Sequence, residues 1–177
     1  RVEGVRVCGA DRTYELMAKS VIACSGGFQA NPEMRARYLS GATDFIKVRG
    51  TRHDTGEVTR WLLDIGANPS GQWQSGHMSP IDGNAPDYET PQHEDGLGNT
   101  QSRYDYTKGI TVNALGQRFF DEGEAEHSYT YAKTGRAILA QPGARAFQIF
   151  DATGVALFRY PNHPMTFEEA DTIEGLA

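Results

Sequence analysis

Residues 21–33, Val-Ile-Ala-Cys-Ser-Gly-Gly-Phe-Gln-Ala-Asn-Pro-Glu, constrain the fold more than any other stretch. An apolar run stops abruptly at Ser25-Gly26-Gly27, and a helix start follows at once. Asn31 is a strong N-cap, and Pro32 suits the first helical position, whose N–H is left unbonded in any case. A strand that feeds a helix through a tight turn belongs to an α/β or α+β architecture, in which helices cover a sheet. The paired glycines remove two Cβ atoms from that turn. Backbone that passes close to a flat group needs such bare Cα atoms, and so does a simple tight turn with positive φ.

The flanking pattern extends this unit. Residues 2–8 and 13–17 flank the polar turn Gly9-Ala10-Asp11-Arg12 as a hairpin, and residues 18–24 read as a third strand. Cys8 and Cys24 fall in these segments and read as reduced core thiols, because two cysteines without CxxC spacing make neither a disulfide framework nor a zinc site. The first helix runs from Asn31 to Leu39. Val58, Leu62 and Ile65 recur at one-turn spacing and predict a second helix over 56–65, with Gly66 as its stop. Residues 68–108 are rich in Gly, Pro, Asn, Asp and Ser, and a loop of that length is functional or disordered. Order returns with a hairpin of residues 110–113 and 118–120, a helix over 129–140, a strand over 145–150, and a short helix over 167–173. The last opens at Thr166, with Glu169 as capping-box partner.

Composition limits the partners. The 177 residues suffice for one ordinary domain or two small ones. A net charge of −6 without a Lys/Arg cluster argues against nucleic acid or an anionic membrane surface. No stretch approaches the ~18 apolar residues of a membrane span, and no signal-peptide pattern opens the chain, which favours the cytoplasm. His53, His93 and His163 match no ligand spacing, so no metal site is expected. There is neither a GxSxG elbow nor a Walker-type loop to support hydrolysis or phosphoryl transfer. The chain opens at Arg1 within a strand pattern and reads as a central piece of a larger protein.

Three segments together carry a resemblance: AKSVIACSGGFQANPEM, the TGE helix ending in DIGA, and GITVNALGQRFFDEG. They resemble the flavoprotein subunits of fumarate reductases and succinate dehydrogenases. The continuation YTYAKTGRAILAQPGARAFQIFD is most similar to the tricarballylate dehydrogenase type. The resemblance implies part of a glutathione-reductase-like FAD-binding domain over residues 1–70, followed by a fumarate-reductase-type capping domain over 71–177 that is incomplete at its end. The GxGxxG segment that holds the FAD pyrophosphate is implied to lie upstream, so the isolated chain is expected to be inactive.

The implied chemistry is FAD-dependent oxidation or reduction of a carbon–carbon bond in a di- or tricarboxylate. A separate electron donor or acceptor completes turnover, and such a partner can bring the protein to a membrane. By this resemblance Cys24, Ser25, Gly26 and Gly27 line the cofactor. His77 matches the histidine that binds a substrate carboxylate, although a solvated loop histidine reads the same way. Arg118, Asp121 and Glu122 match GxRFxxE. Arg118 is a substrate-binding candidate or an ion-pair residue; Glu122 orients a catalytic neighbour or pairs with Arg118. The family's proton-transferring arginine falls at Glu126 here, or at His127 with the register shifted by one. His127 shuttles protons near neutral pH, as arginine does not. Tyr104, Tyr106, Tyr129 and Tyr131 form either a phenolic donor set or ordinary core. Two alternatives remain: a ketosteroid dehydrogenase-like flavoenzyme, and a truncated, non-catalytic binding domain.

Overall fold

The computed structural model describes residues 2–39, 41–88, 101–159 and 165–176. Strands β1 (Gly4–Cys8) and β2 (Thr13–Met17) pair antiparallel in the register Gly4 with Met17 and Cys8 with Thr13, as the turn chemistry predicts. Residues 18–24 form no strand. After Ala18, whose N–H reaches the Glu3 carbonyl, the backbone to Gly27 makes no hydrogen bond among the described residues. An apolar run becomes a strand only where a neighbouring strand takes its N–H and C=O groups. Both cysteines are exposed, which corrects the expectation of core thiols: the two-stranded ribbon covers neither.

Helix α1 (Pro32–Tyr38) begins as its sequence dictates, with Asn31 Oδ1 accepting from the Met34 N–H at 3.1 Å. One face buries Met34, whose sulfur lies against Gly56. The other carries Arg35, which is 3% exposed. Its guanidinium donates to the carbonyls of Thr43 at 2.7 Å and Asp44 at 2.9 Å, and also to that of Gln29. This cation thus knots the loops on both sides of the helix. Burial pulls the Arg35 pKa below the usual guanidinium value. Helix α2 (Glu57–Asp64) follows, ended by Gly66. Trp73 then closes an aromatic cluster with Phe28 and Tyr38, at centroid distances of 6.2 and 5.0 Å.

Strand β3 (Ile110–Asn113) pairs antiparallel with β4 (Ala146–Ile149), not with residues 118–120. Only a single bridge joins Val112 to Arg118, because Phe120 turns onto the buried Tyr106 ring, 5.8 Å away, instead of extending a hairpin. Helix α3 (His127–Leu139) lies between the two strands in sequence, starting two residues before the predicted bound. Helices α4 (Ala152–Ala156) and α5 (Ile173–Leu176) are short.

The helix expected over 167–173 is confined to that last turn. Thr166 is turned toward Asp82 instead of capping it: its N–H and hydroxyl donate to that carboxylate, at 2.9 and 3.0 Å, and its oxygen accepts from Asn84 Nδ2. Asp82 is 6% exposed and also takes two bonds from Arg103, at 2.8 and 3.0 Å, and one from the Asn84 N–H at 2.9 Å. Burial pushes the Asp82 carboxyl up, but the Thr166 and Asn84 amides and the Arg103 guanidinium outweigh it and hold the group below the ordinary carboxylate value. This one side chain anchors much of the described part of the long polar loop. His93 and His163 lie outside the described residues.

Candidate functional site

Helix α3 sets the geometry. His127, Tyr131 and Gly135 follow one another at four-residue intervals and therefore share a face. At Gly135 the backbone of Met78 and Ser79 crosses the helix so closely that a Cβ would meet the Ser79 nitrogen at 2.6 Å and the Met78 carbonyl carbon at 2.7 Å. Glycine costs about 1 kcal/mol in a helix interior, and here it admits that crossing chain. The crossing delivers His77 onto Tyr131, where Nε2 lies 2.7 Å from the phenol oxygen. Arg136, one residue beyond the glycine, fastens the same loop by donating to Ser75 Oγ and to the Gly76 carbonyl.

From Tyr131 a row of rings continues. Tyr104 meets it in a T-shaped contact at 5.2 Å, and His127 stacks on Tyr104 at 5.2 Å and 21°. His77, Tyr131, Tyr104 and His127 thus form one wall from three separate segments. Cations flank it. Arg49 donates to the Tyr104 phenol, and Arg159 Nη1 lies 3.5 Å from His127 Nε2 and 3.6 Å from Glu126 Oε1.

Glu126 Oε1 meets His127 Nδ1, and Oε2 of the same carboxylate accepts from the Ser128 N–H at 2.9 Å, capping α3. Bonds from the Ser128 hydroxyl and amide, together with the charges of His127 and Arg159, hold the Glu126 carboxyl below its ordinary value. A carboxylate on Nδ1 fixes the ring and leaves Nε2 as the acceptor nitrogen, which faces Arg159 Nη1.

The other candidates are placed differently. Glu122 is 4% exposed; it takes the Thr111 N–H at 2.6 Å and pairs with Arg118. Burial raises its carboxyl pKa, but the Arg118 bond and the Thr111 amide lower it further, so it lies below the usual glutamate value. Among the described residues neither Arg118 nor Glu122 makes a hydrogen bond or ion pair with any of the four rings. Tyr106 is core, bonded to Thr130 Oγ1 at 2.6 Å, and Tyr129 is 86% exposed. Arg49 and Arg159 were not singled out by sequence. His77, His127, Tyr104 and Tyr131 were, although nothing in the sequence placed them side by side.

Cys24, Ser25 and Gly26 are exposed, and their backbone groups are free of hydrogen bonds among the described residues, so this stretch can present N–H donors to a polar ligand. Gly26 has φ +80°, and the space its missing Cβ leaves is taken by the Asp54 carboxylate. A Cβ on Gly27 would meet the end of the Gln29 side chain at 2.6 Å. Each of the paired glycines thus lies against a side chain of this chain. Among the described residues no cluster of three metal-ligating side chains occurs, and no helix is long and apolar enough to cross a membrane.

No protein-family profile matches the chain. It is 29% identical over 153 residues to an NADH:fumarate oxidoreductase of Klebsiella pneumoniae, covering 85% of this chain and 14% of that protein. It is 29% identical over 168 residues to a probable fumarate reductase of Shewanella frigidimarina, covering 93% of this chain and 26% of the relative. Among solved structures it is similar to a 3-ketosteroid Δ1-dehydrogenase from Sterolibacterium denitrificans in complex with 1,4-androstadiene-3,17-dione. That match has a TM-score of 0.64 at 29% identity and covers 93% of this chain and 28% of that one. These relatives are all oxidoreductases, and the chain spans between about a seventh and about a quarter of the length of the curated ones.

Proposed function

We propose that this chain is a segment of an FAD-dependent oxidoreductase of the fumarate reductase flavoprotein family. In the complete protein it acts on a carbon–carbon bond of a di- or tricarboxylate of the tricarballylate type. The observation that carries this reading is the convergence of His77, Tyr131, Tyr104 and His127 with Arg49 and Arg159 beside them. Two imidazoles and two guanidinium groups along one wall offer charge-assisted donors to substrate carboxylates. The three oxidoreductase relatives support the reaction class.

Each residue then has a task. His77 donates to one carboxylate, and Arg49 and Arg159 supply positive charge. His127 moves a proton at Nε2 while Glu126 holds its Nδ1 side. The exposed backbone of Cys24 and Ser25, with the half-buried Gly27 after it, would hold the cofactor, and bound FAD supplies the hydride acceptor or donor. Asp54, seated against Gly26, leaves that residue a shaping role.

A second reading has its own support. The tyrosine wall and the likeness to the steroid dehydrogenase fit an apolar ring substrate. Full-length protein separates the two. Near-stoichiometric flavin absorbance and reduction of an artificial electron acceptor with tricarballylate are expected. Turnover of a 3-ketosteroid alone would select the second reading, and protein without flavin would leave a non-catalytic binding domain.

A further inference from the structure

We infer that Tyr131 is a positioning residue that sets the tautomer of His77, so that His77 presents Nδ1–H to whatever ligand it meets. The inference rests on the reading of His77 as a ligand-facing residue, and assigns a role to a tyrosine one segment away.

The His77 ring and the Tyr131 hydroxyl meet at 2.7 Å, and among the described residues neither has another hydrogen-bond partner. A phenol keeps its proton across the neutral range, and a neutral imidazole has one donor and one acceptor nitrogen. Among the described residues Nε2 is the acceptor within reach of the Tyr131 O–H, and in the proposed arrangement the phenol donates to it and fills its lone pair. The ring proton is then on Nδ1. A free imidazole side chain prefers the opposite tautomer, so this one needs a partner to hold it.

The partner is itself held. Tyr131 is fixed on α3 between His127 and Gly135, with the Tyr104 ring in T-shaped contact with it and the Tyr104 phenol bonded to Arg49. His77 is held from the other side by the Met78–Ser79 backbone at Gly135 and by Arg136 on Ser75 and Gly76. The imidazole lies tilted at 55° to the phenol ring, with centroids 4.9 Å apart. These contacts fix where the two side chains start from, so that the ring and the hydroxyl stay within reach of each other.

The test is a long-range 1H–15N correlation spectrum of 15N-histidine-labelled protein at about pH 8, above the ordinary histidine titration. The expected wild-type result is a pyrrole-like Nδ1 and a pyridine-like Nε2 for His77. In Tyr131→Phe the majority should pass to Nε2–H, while the exposed His53 keeps its signals and reports an intact fold. A wild-type spectrum dominated by Nε2–H overturns the inference whatever the variant does, and so does a Tyr131→Phe spectrum that retains Nδ1–H. Succinate added to the wild type should move the His77 Nδ1 signal. The expected tautomer without that response would uphold the role of Tyr131 and count against carboxylate binding.

Discussion

His77 and Tyr131 are 54 residues apart in the chain and meet at 2.7 Å because a third residue, Gly135, has no side chain. The loop that carries His77 crosses α3 at that glycine, one turn beyond the tyrosine it serves. Site geometry here is therefore set by packing at a position that performs no chemistry.

Gly135→Val tests this directly. The added side chain meets backbone atoms of Met78 and Ser79, which cannot swing aside as a flexible side chain would. Overpacking of this kind costs about 1–3 kcal/mol, partly offset by the gain of a better helix former. Urea denaturation should show a lower midpoint, and the full-length enzyme should lose substrate affinity together with stability.

Arg118→Ala leaves the buried Glu122 carboxylate with the Thr111 amide and no cation. Because the arginine is itself 56% exposed, the loss of stability should be modest, a small downward shift of the urea midpoint. Substrate affinity should be unaffected, since among the described residues Arg118 makes no hydrogen bond or ion pair with any of the four rings. A rise in KM without loss of stability would return Arg118 to the substrate.

Asp82 and Glu122 predict the acid limb of stability. Both carboxyls titrate lower in the folded chain than in the unfolded one, so the unfolded chain takes up their protons first as pH falls. Their contribution is present above the unfolded values of about 4 and is lost as pH falls through the folded ones. Urea melts of Asp82→Asn and Glu122→Gln between about pH 7 and about pH 3 should show lower stability at neutral pH and a flatter acid limb than wild type.

If His127 moves the proton, kcat of the full-length enzyme should depend on pH, and His127→Gln should change that profile. Rate losses for removed acid–base groups are about 100- to 10,000-fold. An unchanged pH–rate profile in the variant would remove His127 from proton transfer.

Local signals in the sequence located what is local in the structure. The Asn31-Pro32 start, the α2 periodicity ended by Gly66 and the β1–β2 turn depend on neighbours in sequence, and all three are present. What depends on distant partners was not legible. Residues 18–24 have the composition of a strand but no strand beside them, and β3 finds its partner at Ile149 instead of in the next few residues. The site divides the same way. His77 and His127 stood out by residue type and by resemblance to a known family. Arg49, Arg159 and the contacts of Tyr104 with Tyr131 and His127 arise only when three loops converge.

The β1–β2 ribbon bears on how the chain behaves in a tube. Val5, Leu16 and Met17 on it, and Val21 and Ile22 just after it, are between 41% and 86% exposed, and the backbone beyond Ala18 offers unbonded N–H and C=O groups. Bare apolar strands with open edges recruit one another. Concentration, more than temperature, should therefore set the working range of this chain in isolation, with self-association beginning at the ribbon while the α3 region is still folded.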